Sequence, residues 1–264
     1  MASKLLMGAI RYPNRFFNAT GKFFSYRPMS TTPPSSPLGN GKTVDEKSQH
    51  KLSLNDDTLA KFSAIADTCW DPEGPYKPVH AMNPNRLAFI RSTLCQHFRK
   101  DPQMARPFEG LSIVDVGCGG GRLSEPLARM GATVTGIDAL EKNIKMARLH
   151  ADSDPVTSTI EYRCTTAEKL VEEQKMFDVV IALEVIEHVP DPAEFCKTLS
   201  ALTNPGGATV LSTINRSMKS YAIAIVVAEY LLHLLPIGKH QWSCFVTPEE
   251  LALNLQRGSV NVKQ

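Results

Sequence analysis

The chain has 264 residues, of which 42% are hydrophobic and 21% are charged. This length fits one large domain or two small ones, and the composition excludes a fibrous or a wholly disordered protein. Six of the 29 basic residues and none of the 27 acids lie within residues 1–44, so the rest of the chain carries 23 bases against those 27 acids. This mildly acidic body excludes nucleic-acid binding on the ground of overall charge.

Residues 1–30 combine bases with bulky apolar side chains, among them Leu5, Phe16 and Phe23, and contain no acid. A basic, acid-free, amphipathic start is typical of a mitochondrial presequence, although a disordered basic tail is the alternative. Residues 31–54 begin with a run rich in Ser, Thr and Pro, which predicts a disordered linker. Residues 55–264 are then expected to form the folded domain.

The folded domain is expected to begin with helices within residues 55–100, at 55–65 and 85–98, separated by a proline-rich loop at 71–78. After residue 100, short apolar segments alternate with helical ones. The expected strands cover 112–116, 132–137, 160–164, 177–183 and 208–213, the expected helices cover 123–130, 140–151 and 192–202, and a turn is expected at 204–207. This alternation predicts an α/β fold with a doubly wound, mostly parallel sheet, which binds its ligand beyond the carboxyl ends of the strands.

A glycine cluster follows the first of these strands, in the sequence Asp-Val-Gly-Cys-Gly-Gly-Gly-Arg that starts at Asp115. The glycines at alternate positions from Gly117 onward let the backbone turn sharply and approach a ligand closely. A dinucleotide fingerprint would need another glycine where Arg122 stands, which disfavours an NAD site. An acid two residues before the first glycine instead suits a cofactor with a positive sulfonium and an amino-acid tail.

Two further groups of polar residues end strands of the predicted sheet. Asp138 ends the second strand, where a carboxylate can accept both hydroxyls of an adenosine ribose, and a helix N-cap is the alternative. Glu184, Glu187 and His188 follow the fourth strand and face one point if the chain turns helical there. Two carboxylates and an imidazole suit Mg²⁺ or a similar divalent ion, and a solvated acidic loop with a capping histidine is the alternative.

An apolar run at residues 221–235 is interrupted by Glu229 and His233, and it is too short to span a bilayer. It is interpreted either as a core helix or as an interfacial helix. Flanking bases favour contact of the wider segment 216–242 with anionic headgroups.

Several motifs together resemble the ubiquinone-biosynthesis O-methyltransferases. They are the glycine cluster at 115–121, Gly-Ala-Thr-Val-Thr-Gly-Ile-Asp at 131–138, Ala-Arg-Leu-His-Ala at 147–151, Glu-Val-Ile-Glu-His-Val-Pro-Asp-Pro at 184–192, Thr-Ile-Asn-Arg-Ser-Met-Lys-Ser at 213–220 and Val-Ala-Glu-Tyr at 227–230. The resemblance runs from about residue 61 to 254. It implies a Rossmann-like class I methyltransferase fold, with S-adenosylmethionine as methyl donor.

The resemblance also implies functions for individual residues. It places Arg86, Gly117, Asp138 and Leu183 at S-adenosylmethionine, where Arg86 suits the methionine carboxylate. A surface helix arginine is the alternative for Arg86. A metal site at Glu184, Glu187 and His188 is implied as well, and His188 is either a metal ligand or the general base. Ala167 and Glu168, after the third strand, lie where an adenine edge is expected.

The implied substrates are polyprenyl catechols, namely 3,4-dihydroxy-5-polyprenylbenzoate and 3-demethylubiquinol. Expected surroundings are the matrix side of the mitochondrial inner membrane, with peripheral membrane contact, and other ubiquinone-biosynthesis proteins. The antiparallel hairpin that closes such sheets is expected to be incomplete in residues 257–264, so a catalytically silent, truncated subunit of a biosynthetic complex is the alternative function. An NAD-dependent dehydrogenase is disfavoured by Arg122.

Overall fold

The structure, a computed structural model, describes the backbone of residues 4–7, residue 63 and residues 65–213. Parallel strands of these residues form one sheet with the order β1-β6-β5-β2-β3-β4. The strands are β1 Lys4–Met7, β2 Ser112–Val116, β3 Thr133–Asp138, β4 Glu161–Cys164, β5 Phe177–Leu183 and β6 Thr203–Ser212. Strand order reverses between β2 and β5, and a parallel α/β sheet binds its ligand in the crevice at such a reversal.

Helices cover both faces of this sheet, which explains why the central strands β2 and β5 are mostly apolar. The helices are α1 Lys77–Phe98, α2 Ser124–Arg129, α3 Glu141–Ala151, α4 Ala167–Glu172 and α5 Pro192–Ala201, and short 3₁₀ turns lie at Ala66–Thr68, Thr157–Thr159 and Ile186–His188. One core, around Ile113 and Ile144, packs beneath α1, α2 and α3, and a second, around Val114 and Leu199, packs beneath α4 and α5. The predicted doubly wound parallel α/β fold is therefore confirmed.

The structure differs from the sequence predictions at α1, α4 and β6, and strand β1 was not anticipated. Helix α1 begins eight residues earlier than expected, because Pro78 lies in its first turn, where a helix needs no N–H from it. The helix then continues through Pro84. Helix α4 was not anticipated from the sequence. Strand β6 runs through the expected turn at 204–207, because its register against β5 shifts between Phe177 and Val179 and Gly206 takes a φ of +86°.

Several predictions concern residues outside those that the structure describes. They are the linker at 31–54, nearly all of the helix at 55–65, the segment 216–242 and the incomplete hairpin at 257–264. Of the predicted presequence only the backbone of β1 is described. Within the described part of the chain, no helix has both the length and the apolar character needed to cross a bilayer.

Candidate cofactor site

The loop of residues 117–122, called the glycine loop below, connects β2 to α2. Gly117 has a φ of +71°, and a side chain there would place its Cβ 2.5 Å from Val185 Cγ2. The Gly117 and Cys118 N–H groups both donate to the Ile137 carbonyl, at 2.8 and 2.9 Å, which fixes the loop against β3. At Gly119, φ is +55°, and among the described residues no atom apart from its chain neighbours lies within 4 Å of where a Cβ would stand. The loop is therefore pinned at its start and open at Gly119, which fits a ligand that approaches the backbone closely.

Asp138 lies at the carboxyl end of β3, directly beside the glycine loop. Its carboxylate accepts hydrogen bonds from the Gly119 N–H at 3.0 Å, the Leu140 N–H at 2.8 Å and the Asn143 side-chain amide at 3.1 Å. Burial raises the pKa of Asp138, and these three hydrogen bonds oppose the rise. The N-cap residue of α3 is Leu140 rather than Asp138, so capping this helix is not the sole role of the Asp138 carboxylate. A carboxylate offers about four acceptor sites, which leaves capacity for a further donor.

Asp115 is buried beneath the same loop, with 2% of its surface exposed. Its carboxyl accepts a hydrogen bond of 2.6 Å from the Ser124 hydroxyl. Burial raises the pKa of Asp115 to about 7, and the Asp138 carboxylate adds to the rise, while Ser124 and the Arg86 guanidinium oppose it. The two acids and Arg86 thus interact electrostatically around the start of the glycine loop.

Arg86 projects from α1 and is 5% exposed, so the surface-arginine alternative is wrong. Its guanidinium donates to the Glu184 carboxylate, which also accepts a 2.6 Å hydrogen bond from the Ser212 hydroxyl. Glu184 has a φ of +53°, a strained conformation for a residue with a side chain, and such strain clusters at functional sites. Leu183, which is half-buried, and the buried Arg86 line a cleft at the carboxyl ends of β5 and β6. Arg86 and Leu183 are therefore brought to the edge of the sheet where ligands bind.

The structure does not assemble Glu184, Glu187 and His188 into a metal site. Glu187 is buried and accepts a 3.1 Å hydrogen bond from the Thr213 hydroxyl, while Glu184 is held by Arg86 and Ser212. Over the described residues, no group of three His, Cys, Asp or Glu side chains is placed to hold a metal ion. The prediction that the chain turns helical after the fourth strand is confirmed only as the 3₁₀ turn Ile186–His188. As arranged, these residues do not fit a divalent cation.

The predicted adenine-edge residues begin α4, where the Thr166 hydroxyl accepts the helix-capping hydrogen bond from the Lys169 N–H. Ala167 is buried in the second core, and Glu168 is half-buried. Sequence reasoning missed two polar residues, Asn143 on Asp138 and Ser212 on Glu184. The position of Ser212 at the end of a strand beside β5 is the signal that could have found it.

Comparisons with known proteins agree with this architecture. A family model described as a methyltransferase domain matches residues 114–211. The mitochondrial ubiquinone biosynthesis O-methyltransferase of Arabidopsis thaliana is 64% identical over 252 residues, which are 95% of this chain and 78% of that protein. The chain belongs to the ubiquinone biosynthesis O-methyltransferase family. The family member from Paramagnetospirillum magneticum is 47% identical over 215 residues, 81% of this chain and 85% of its own.

Among solved structures, the magnesium protoporphyrin IX methyltransferase from Synechocystis with bound SAH superposes with a TM-score of 0.56. It is 19% identical and covers 77% of this chain and 89% of its own, so the likeness concerns the fold alone. The resemblance read from the motifs is confirmed. As a member of this family the chain is an S-adenosylmethionine-dependent O-methyltransferase of ubiquinone biosynthesis, with the class I methyltransferase fold.

Proposed function

We propose that this chain transfers the methyl group of S-adenosylmethionine to a hydroxyl of polyprenyl catechols, 3,4-dihydroxy-5-polyprenylbenzoate and 3-demethylubiquinol. The observation that carries the proposal is the cradle formed by the glycine loop and Asp138. It combines an open backbone at Gly119 with the half-buried Asp138 carboxylate, which retains acceptor capacity. Family membership supports the same reaction and the same class of substrate.

Four residues would hold the cofactor. Asp138 accepts one ribose hydroxyl at its remaining acceptor position, and Gly117 lets the chain pass close to the methionine portion. Arg86 pairs with the methionine carboxylate, since a guanidinium matches a carboxylate with two parallel hydrogen bonds. In the structure this guanidinium is occupied by Glu184, a carboxylate of the same geometry. Leu183 contributes backbone and apolar contact along the cleft it shares with Arg86.

The bound cofactor supplies an electrophilic methyl group on a positive sulfur. Catalysis then consists mainly of holding the catechol oxygen in line with the S–CH₃ bond, since positioning supplies much of the rate of such displacements. As the O–CH₃ bond forms and the S–CH₃ bond breaks, the bonding pair goes to sulfur and the hydroxyl proton goes to His188. His188 ends the 3₁₀ turn after β5, near the strand end that carries Glu184, and serves as general base.

The resemblance also implies a divalent cation, but Glu184, Glu187 and His188 as arranged do not fit one. The proposal also includes import into the mitochondrion and association with other ubiquinone-biosynthesis proteins. Residues 216–242 would contact the matrix face of the inner membrane peripherally. The mitochondrial relative supports the compartment. Replacing Ile225 and Leu232 with Glu is expected to weaken co-sedimentation with cardiolipin-containing liposomes, and unchanged co-sedimentation would contradict the membrane contact.

Steady-state kinetics test the cofactor-binding part of the proposal. Arg86→Met is expected to raise KM for S-adenosylmethionine by about tenfold or more, because a charged hydrogen bond is worth about 1.5–3 kcal/mol. The matched control is Arg91→Met on the same helix, whose guanidinium bonds the carbonyls of Pro102 and Met104, at 2.8 and 2.7 Å, away from the glycine loop. Equal KM values for the two variants would contradict the role of Arg86.

Two further arms test the chemistry. His188→Gln is expected to lower kcat by about a hundredfold or more while KM for S-adenosylmethionine stays near that of the wild type. Retained kcat would exclude His188 as the base. Assays with Mg²⁺ and with EDTA test whether turnover requires a divalent cation. Only a metal-dependent enzyme loses turnover in EDTA and regains it when Mg²⁺ is added back.

A further inference from the structure

Residues 66–76, called the strap below, precede α1 and have no role in the site described so far. The strap contains one 3₁₀ turn, Ala66–Thr68, and is otherwise irregular. Ala66, Cys69 and Tyr76 are nevertheless buried, with 0%, 2% and 8% of their surfaces exposed. An irregular segment that buries such side chains is packed firmly against a neighbour, and here the neighbour includes the glycine loop.

Gly120 shows how closely the two segments approach. Its φ is not positive, unlike those of Gly117, Gly119 and Gly121, so the turn itself does not require glycine there. A Cβ at this position would overlap Cys69 Sγ and would lie 3.1 Å from Cys69 Cβ. The strap, rather than the backbone conformation, therefore explains why a glycine occupies position 120.

Trp70 fastens the strap from one side. Its indole N–H donates to the Gly120 carbonyl at 2.9 Å. Its ring stacks on His150 of α3, with ring centroids 3.4 Å apart and an angle of 3° between the planes. The imidazole is itself held by the buried Glu125 carboxylate at 2.6 Å. The indole is thus fixed in the orientation that binds a carbonyl of the glycine loop.

Arg122 fastens the strap from the other side. Its guanidinium donates to the Cys69 carbonyl, and this carbonyl also forms a 3.0 Å hydrogen bond with His80. The guanidinium carbon lies 4.3 Å from the centroid of the Tyr76 ring, a cation–π contact. The backbone carbonyl of Arg122 accepts a 3.0 Å hydrogen bond from Asn83, one helical turn before Arg86. Arg122, at the position where a dinucleotide-binding fingerprint has a glycine, therefore joins the glycine loop to both the strap and α1.

We propose that Trp70 and Arg122 are positioning residues for the cofactor, which fasten the strap onto the glycine loop and hold that loop in its binding conformation. The inference rests on the proposed cofactor site at this loop. Glycines have more conformational freedom to lose than other residues, so a loop with four of them needs external contacts to stay in one conformation. When only a fraction of molecules holds the competent conformation, the apparent affinity falls by that fraction.

The test uses the full chain and measures S-adenosylmethionine affinity by isothermal titration calorimetry, together with kcat, both KM values and Tm. Trp70→Phe keeps a ring on His150 and removes the N–H donor, Arg122→Met removes the guanidinium, and Arg122→Lys keeps a cationic donor. Trp70→Phe and Arg122→Met are each expected to weaken cofactor binding by about fivefold or more, the equivalent of one lost hydrogen bond. Arg122→Lys is expected to recover part of the loss.

A positioning role also predicts that kcat at saturating cofactor and KM for the catechol stay within about twofold of wild type. Arg91→Met, which removes two comparable guanidinium–carbonyl bonds elsewhere, should leave cofactor affinity unchanged. If Trp70→Phe and Arg122→Met bind the cofactor as tightly as the wild type, whatever their Tm, the strap is purely structural and the inference is overturned. A wild-type chain that binds no S-adenosylmethionine would overturn the proposed function as well, which distinguishes the two failures.

Discussion

Replacing Asp115 with Asn should change how the stability of this enzyme depends on pH. Burial raises the pKa of the Asp115 carboxyl to about 7 in the folded chain, against 3.8 as its ordinary value. A carboxyl with a raised folded-state pKa contributes stability that is fully present below about pH 3.8 and is lost as the pH rises through about 7. The amide of the Asp115→Asn variant would keep an oxygen for the Ser124 hydroxyl and would not titrate.

The magnitude follows from linkage. Between pH 5 and 8 the wild type should lose roughly 2.5 kcal/mol of unfolding free energy through this carboxyl, since each pH unit between the two pKa values is worth about 1.4 kcal/mol. The Asp115→Asn variant should lose none of it. Urea unfolding at several pH values from 5 to 8 measures the difference, and the gap between variant and wild type should widen in favour of the variant as the pH rises.

Asp154→Asn is the matched control. Asp154 is a partly exposed carboxylate whose pKa is lowered by its hydrogen bond from Arg129, so it is ionised in both folded and unfolded chains above pH 5. Its variant should therefore follow the wild-type pH profile. Parallel profiles for Asp115→Asn and wild type would refute the reasoning, because they would mean that the Asp115 carboxyl is already ionised at pH 5 in the folded chain.

Three further substitutions test the site and the core. Gly117→Ala should weaken S-adenosylmethionine binding and lower stability by about 1–3 kcal/mol, because it combines a φ of +71° with a contact of 2.5 Å to Val185; calorimetry and urea unfolding measure both. Asp138→Asn should raise KM for S-adenosylmethionine by about tenfold or more, since its amide cannot accept at both atoms, and an unchanged KM would exclude Asp138 from the cofactor site. Ile181→Ala, in the middle of β5 and fully buried, should lower the unfolding free energy by about 2–5 kcal/mol without changing either KM.

The sheet was predictable because its strands carry a strong and simple pattern. β5 was expected at residues 177–183 and is Phe177–Leu183, since a run of seven mostly apolar residues is typical of a strand buried on both faces. The expected helix at 85–98 starts directly after Pro84, whereas α1 continues through that proline although proline usually ends a helix. β6 was predicted too short for a similar reason, since Asn204 to Gly207 has the composition of a turn but forms a bulge within the strand.

The cofactor cradle was predictable from position, because the ends of neighbouring parallel strands meet at one edge of the sheet. This rule found Asp138 and the glycine loop. It does not say which polar groups satisfy one another, so the pairing of Arg86 with Glu184 was not anticipated, and a metal trio was expected where the carboxylates bind protein donors. The strap was missed because its contacts join residues about 50 positions apart through single side chains, and no periodic pattern records them.

The central claim is methyl transfer from S-adenosylmethionine to a catechol oxygen. The most direct measurement incubates the full chain with S-adenosylmethionine that carries an isotopic label in its methyl group and with a short-prenyl dihydroxybenzoate, and then locates the label by mass spectrometry and NMR. The account predicts a labelled methoxy group on the catechol ring, formed at a rate that falls in Arg86→Met and not in Arg91→Met. Label that stays in S-adenosylmethionine although calorimetry shows the cofactor bound, or that enters a ring carbon, would contradict it.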